Sequence, residues 1–184
     1  MRGLVTRPKY RNRLPANVKP QAATVRGHWC MRILLKLELD CTPDAAWHAI
    51  RSPEVFQAVS FPLTTFASLE GDGFPEQWPE GPHLLSVRAL GLVDIGRQSV
   101  DLAFLERKDC VRIVRDSGKG VSGPVSLVTR WRHEMAVSAL PDGRTLYRDQ
   151  LRFSAGPLTL PMWLVYWAFW QWRAFGIRRL APTW

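Results

Sequence analysis

From Ile33 the chain alternates, with Ile33, Leu35, Leu37 and Leu39 on one parity and Lys36, Glu38 and Asp40 on the other. That period of two is what a half-buried strand imposes. Thr42, Pro43 and Asp44 follow: an N-cap, a proline at the first helical position and an acid in the first turn. They start a short helix through Ala45, Ala46, Trp47, Ala49 and Ile50. Ser52, Pro53 and Glu54 repeat the signal, and a second short helix through Val55, Phe56 and Val59 has to end before Pro62.

Six more strand-like runs come next, at Thr64 to Leu69, His83 to Val93, Arg97 to Glu106, Cys110 to Asp116, Val125 to Ala139 and Arg144 to Ser154. The last five are separated by the turn signals Asp94-Ile95-Gly96, Arg107-Lys108-Asp109, Ser117-Gly118-Lys119-Gly120 and Pro141-Asp142-Gly143. These connections are too short for crossover helices, so the sheet is expected to be antiparallel. After Gly156-Pro157 the pattern becomes one apolar helix from Pro161 to about Leu180, closed by Arg178-Arg179 and Pro182.

Strand, two short helices, six strands and a long helix is an α+β order. With the Thr42-Pro43-Asp44-Ala45-Ala46-Trp47 and Ser52-Pro53-Glu54 segments and the Trp-rich last helix, it resembles the SRPBCC or START-like superfamily over roughly residues 31 to 181. This is the helix-grip fold of polyketide cyclase/dehydrase and lipid-transport domains. The resemblance implies a curved antiparallel sheet of about seven strands around a long C-terminal helix, with a cavity for an apolar ligand between them. It implies no particular substrate, because members range from carriers to cyclases.

Candidate chemistry follows from strand register. A Pro141-Asp142-Gly143 loop suits a turn with glycine in the left-handed region, which pairs residues about 140 and 144. Odd-numbered residues of both strands then share a face: Leu127, Thr129, Trp131, His133, Met135 and Val137 with Thr145, Tyr147, Asp149, Leu151 and Phe153. Arg130, Arg132, Glu134, Arg144, Arg148, Gln150 and Arg152 take the solvent face. His133 and Asp149 are thus a pair on an apolar face, within cross-strand or diagonal reach. They are either an acid/base or ligand-orienting pair, or a satisfied hydrogen-bonded pair that pins the register. Tyr147 is either a donor to a ligand or core.

Leu158 to Trp172 carries no formal charge over fifteen residues. That run spans about 22 Å, short of the roughly 30 Å of a bilayer core. Trp163, Trp167, Trp170, Ala174 and Ile177 recur on one helical face. Trp131, Tyr147, Phe153, Trp163, Trp167 and Trp170 are the expected cavity walls, with His133 and Asp149 as polar anchors. The other side of the helix needs a cover, which leaves a homodimer or peripheral membrane contact open. Phe74 and Trp78, in the loop before Pro82, are lid residues or fold back on the core. Neither His48 nor His83 has metal-ligand spacing, so no metal and no cofactor is expected. The loop from Ser117 to Ser122 lacks GxxxxGK[ST] and joins strands, so it is read as a flexible hairpin loop.

The charge of +9 changes the picture little, because Arg2, Arg7, Lys9, Arg11, Arg13, Lys19 and Arg26 supply seven of it and residues 1–30 hold no acid. That proline-containing segment is expected to be a disordered tail, without the apolar stretch of roughly seven to fifteen residues a signal peptide needs. It is a basic arm, an inert tail, or an extension upstream of a true start at Met31, with the ligand-binding domain at 31–184. The body is nearly neutral and lacks any nucleic-acid motif, so nucleic acid is the weakest partner. Cys30, Cys41 and Cys110 form no disulfide or zinc pattern and suit a reducing, cytoplasmic setting. The expected function is binding or carrying a lipid-, steroid- or polyketide-like molecule. The alternatives are a polyketide cyclase/dehydratase-type enzyme using His133 and Asp149, and an interaction module docking through the last helix.

Overall fold

Both expected helix starts are built as the side chains dictate. Thr42 Oγ1 accepts the Ala45 N–H at 3.3 Å and Ser52 Oγ accepts the Val55 N–H at 3.4 Å, each satisfying one donor that a helix leaves open. They cap α1 (Pro43–Ile50) and α2 (Pro53–Ser60), which follow β1 (Met31–Leu39). The computed structural model describes residues 30–184. The expected tail, all but Cys30, lies outside the described residues.

The remaining strands are β2 (Thr64–Ser68), β3 (Gly81–Ala89), β4 (Val93–Arg107), β5 (Val111–Asp116), β6 (Lys119–Ser122), β7 (Arg130–Ala139) and β8 (Thr145–Ser154), before the helix α3 (Thr159–Leu180). All pairings are antiparallel, in the order β1-β8-β7-β5-β4-β3-β2, with β6 paired to β4 off that path.

Three expectations are corrected. The β3–β4 turn falls at Leu90-Gly91, both at positive φ (52° and 69°), and not at Asp94-Ile95-Gly96. Asp94 Oδ1 instead accepts the Gly96 N–H at 2.7 Å while the register slips between Val87 and Arg88. Ile95 is therefore the extra residue of a bulge inside β4. The run from Val125 begins as a 3-10 turn, Pro124–Leu127, because Pro124 fixes φ and offers no N–H, and β7 starts only at Arg130. Residues 119–122 are a strand, making eight. Gly118 and Gly120 lie so close to the backbones of Ser99 and Val125 that a Cβ would collide with either.

The β7–β8 register matches the hairpin expectation. Leu140 N–H donates to the Arg144 carbonyl at 2.8 Å, and Trp131 opposes Phe153, Met135 opposes Asp149 and Val137 opposes Tyr147. From Trp131 to Val137 and from Thr145 to Phe153 the odd face is buried or half-buried and the arginines lie on the other side, whereas Leu127 and Thr129, placed on the odd face by parity, precede β7 and are exposed. On the inner side, Leu37, Leu39, Val137 and Tyr147 pack with Val59, Ala174 and Ile177. Ile33, Leu151 and Phe153 pack with Trp170, and Leu85, Val100, Leu102 and Val114 pack with Trp78. Complete burial of side chains this large contributes about 1.5–3 kcal/mol each. Helices α2 and α3 meet at Gly176, where a Cβ would stand 3.3 Å from Val59 Cα. Among the described residues no helix is long and apolar enough to cross a membrane.

Candidate functional site

The three packed clusters do not close on one another. They surround a cavity of about 720 Å³, within the range of small-molecule sites. Phe56 and Trp78 line it with Val100 of β4, opposite Tyr166, Phe169 and Trp170 of α3. Trp78, from the loop before β3, is buried and meets Phe56 and Phe74 edge-on, with ring centroids 6.2 and 5.6 Å apart. It folds back on the core and is also cavity wall.

Asp149 organises the polar part of the wall. It is fully buried on β8, where its carboxylate takes three side-chain hydrogen bonds. His133 Nε2 and Trp170 Nε1 both lie 2.8 Å from Oδ1, and the Tyr147 hydroxyl donates to Oδ2 at 2.8 Å. Burial alone would push this carboxyl up, but the charge and hydrogen bond of His133, the charge of Arg173 and the Trp170 N–H outweigh it and bring it down to about 2. Burial, then the Asp149 charge, pushes the Tyr147 phenol well up, so it stays a donor. His133 sits diagonal to Asp149 and lines the cavity. Its Nδ1 has no hydrogen-bond partner among the described residues.

A second carboxylate was not anticipated. Asp116, buried at the end of β5, lines the cavity and accepts Trp131 Nε1 at 2.8 Å on Oδ2. Its Oδ1 accepts the Asp101 and Gly118 N–H groups at 3.0 and 2.8 Å. The signal was available, an acid two residues after Val114 on the inward parity of β5. Arg173 was also missed. It is 5 % exposed and faces the cavity from α3.

Of the expected site residues, the fold brings Trp131, His133, Tyr147 and Trp170 to the cavity and puts Asp149 directly behind them. Phe153 is wholly buried against Tyr166, with centroids 4.9 Å apart, and serves as core. Trp163 turns to the β1 edge and donates from Nε1 to the Arg32 carbonyl at 3.1 Å, while Trp167 is 47 % exposed. Along α3 the cavity is lined by Met162, Tyr166, Phe169 and Arg173, with Trp170 and Ile177 of the expected stripe beside them, whereas Trp163, Trp167 and Ala174 are not on the wall. A run that is apolar nearly all round gives a period without a phase. His48 is exposed, and buried His83 bridges a Glu70 carboxylate oxygen and the Pro79 carbonyl, each at 3.1 Å.

An antiparallel sheet, two short helices after the first strand and a long C-terminal helix beside a cavity define the helix-grip fold, the fold of the SRPBCC or START-like superfamily. Solved structures share it at low identity. Norcoclaurine synthase from Thalictrum flavum, a point mutant with a transition-state analogue, is 13 % identical over 85 % of this chain and 97 % of its own, at a TM-score of 0.59. The hypothetical protein jhp0584 from Helicobacter pylori is 10 % identical over 94 % and 99 %, at 0.60. Ara h 8.0201 is 12 % identical over 84 % and 99 %, at 0.56. By sequence, no family model and no curated protein matches the chain.

Proposed function

We propose that this protein binds or carries an apolar small molecule in the cavity between sheet and α3. One observation carries the reading: a domain of this size keeps about 720 Å³ open among aromatic side chains, where ordinary cores close to a density that leaves few voids larger than a water. The polar atoms on that wall are few and grouped, the usual design of a pocket that orients an apolar ligand. Norcoclaurine synthase of the same fold has been solved with dopamine and hydroxybenzaldehyde, which supports ring-bearing molecules as occupants of such a cavity. Native mass spectrometry of the purified chain tests this. An adduct of a few hundred daltons, or uptake of the neutral probe N-phenyl-1-naphthylamine, is expected, and a protein that carries no adduct and takes up no probe overturns it.

The free Nδ1 of His133 favours a second reading, a cyclase or dehydratase-type enzyme for a polyketide-like substrate. Asp149 holds the imidazole at Nε2 and Nδ1 would move the proton. His133→Ala then abolishes turnover, whereas in a carrier it only weakens binding. The outer side of α3 favours a third, since Leu160, Leu164, Val165, Trp167 and Phe175 are all exposed. Homodimerisation or membrane contact through this face would be lost on replacing Trp163 and Trp167, by sedimentation and liposome flotation; a monomer that ignores liposomes excludes both.

A further inference from the structure

Arg173 is the cation on the cavity wall that hydrogen-bonds no carboxylate among the described residues. The residue is 5 % exposed in the second half of α3, and its guanidinium carbon stands 5.5 Å from the centre of the Trp170 ring. Nε is fully enclosed with no hydrogen-bond partner; a terminal nitrogen lies 4.0 Å from Met135 Sδ, a weak acceptor, and the guanidinium also approaches the uncharged Tyr147 hydroxyl. Among the described residues no carboxylate lies within ion-pairing distance of it. Asp149 is near enough for the charge of Arg173 to help hold its carboxyl down, but its oxygens take their hydrogen bonds from His133, Trp170 and Tyr147 and not from the guanidinium. Asp116 is likewise held by Trp131 and two backbone N–H groups.

Taking a cation out of water is costly unless an anion with matching geometry meets it. A guanidinium presents a rigid planar fork of donors, which suits the two oxygens of a carboxylate better than a single-point acceptor. Apart from Asp116, His133, Tyr147 and a few uncharged polar side chains, the wall is aromatic or aliphatic. We infer that the ligand is an amphipathic monoanion whose carboxylate is recognised by Arg173 while its apolar body fills the aromatic part of the cavity. The inference rests on the apolar-ligand reading above and deepens it: the cavity selects for one negative charge at the α3 end as well as for apolar bulk.

A matched pair of fluorescent probes separates the two ideas. 1-Pyrenebutyrate and 1-pyrenebutanol share ring and chain length and differ in the charged end. Titrated into the full chain, the carboxylate is expected to bind at least tenfold more tightly than the alcohol. In Arg173→Met that preference disappears while pyrenebutanol still binds as in the parent, which shows that the cavity is intact; Arg173→Lys keeps part of the preference. If neither probe binds the parent, the apolar-ligand reading falls and this inference with it. If both bind equally, or the preference survives in Arg173→Met, Arg173 is not the recognition element and only this inference falls.

Discussion

Two stretches of the cavity wall solve the same problem differently. At the β5 end the buried Asp116 takes one indole N–H, from Trp131, and two backbone N–H groups. At the β8 end the buried Asp149 takes one indole N–H, from Trp170, and otherwise only side-chain donors. A carboxylate bonded to backbone is part of the sheet's wiring and holds the β5–β6 turn in place. A carboxylate bonded only to His133, Tyr147 and Trp170, all of which line the cavity, fixes the aim of these three polar groups toward an occupant. The first arrangement is architectural, and the second transmits orientation from strand to site.

Substitutions can break that contrast. Asp149→Ala is expected to have the largest effect, because it leaves a histidine, a phenol and an indole buried without their acceptor; the loss should be about 3–5 kcal/mol by urea unfolding, and a loss under about 1 kcal/mol would refute the hub. Asp116→Ala should cost about 2–3 kcal/mol and speed hydrogen exchange at Asp101 and Gly118, with the His133–Asp149–Trp170 geometry unchanged. The acid limb gives a third measure. The carboxyl of Asp149 is depressed to about 2 in the fold against about 3.9 in an unfolded chain. Its contribution, about 2–3 kcal/mol, is therefore fully present above about pH 5 and lost as pH falls through about 2. Asp149→Asn should flatten that limb. Tyr147→Phe, which removes one of three donors and keeps the ring, should cost about 1 kcal/mol. Trp167→Gln on the outer face should stay within about 0.5 kcal/mol of the parent, and a larger loss would mean that the outer face is packed in solution.

The parts of this fold that could be read from the chain are those where one local rule acts without competition. Thr42 and Ser52 cap helices because nothing else claims their hydroxyls, and Pro141-Asp142-Gly143 sets a register that brings His133 within reach of Asp149 sixteen residues away. Illegible parts were those decided by tertiary packing. Asp94-Ile95-Gly96 has turn chemistry but is spent on a bulge, since Leu90-Gly91 closes the hairpin first. In α3 the even spread of tryptophans concealed the phase, and Arg173 marked it: a lone charge that shares its face with Met162, Tyr166 and Phe169. Phe153, Trp163 and Trp167 were assigned to the cavity because aromatic residues suit it, yet the fold spends them on core, β1 edge and surface.

The paired indoles also have an optical consequence. Trp131 and Trp170 both border the cavity, both are anchored through their ring nitrogens, and their centroids lie 6.2 Å apart. Their emission comes from fixed rings beside a carboxylate, whereas Trp167 radiates from the surface. An aromatic occupant would lie beside this pair and beside Trp78 and Trp184, which also border the cavity, and away from Trp167. Four of the nine tryptophans thus stand on the cavity wall, and occupancy by an aromatic molecule is expected to change the intrinsic emission, a change that Trp131→Phe and Trp170→Phe should diminish.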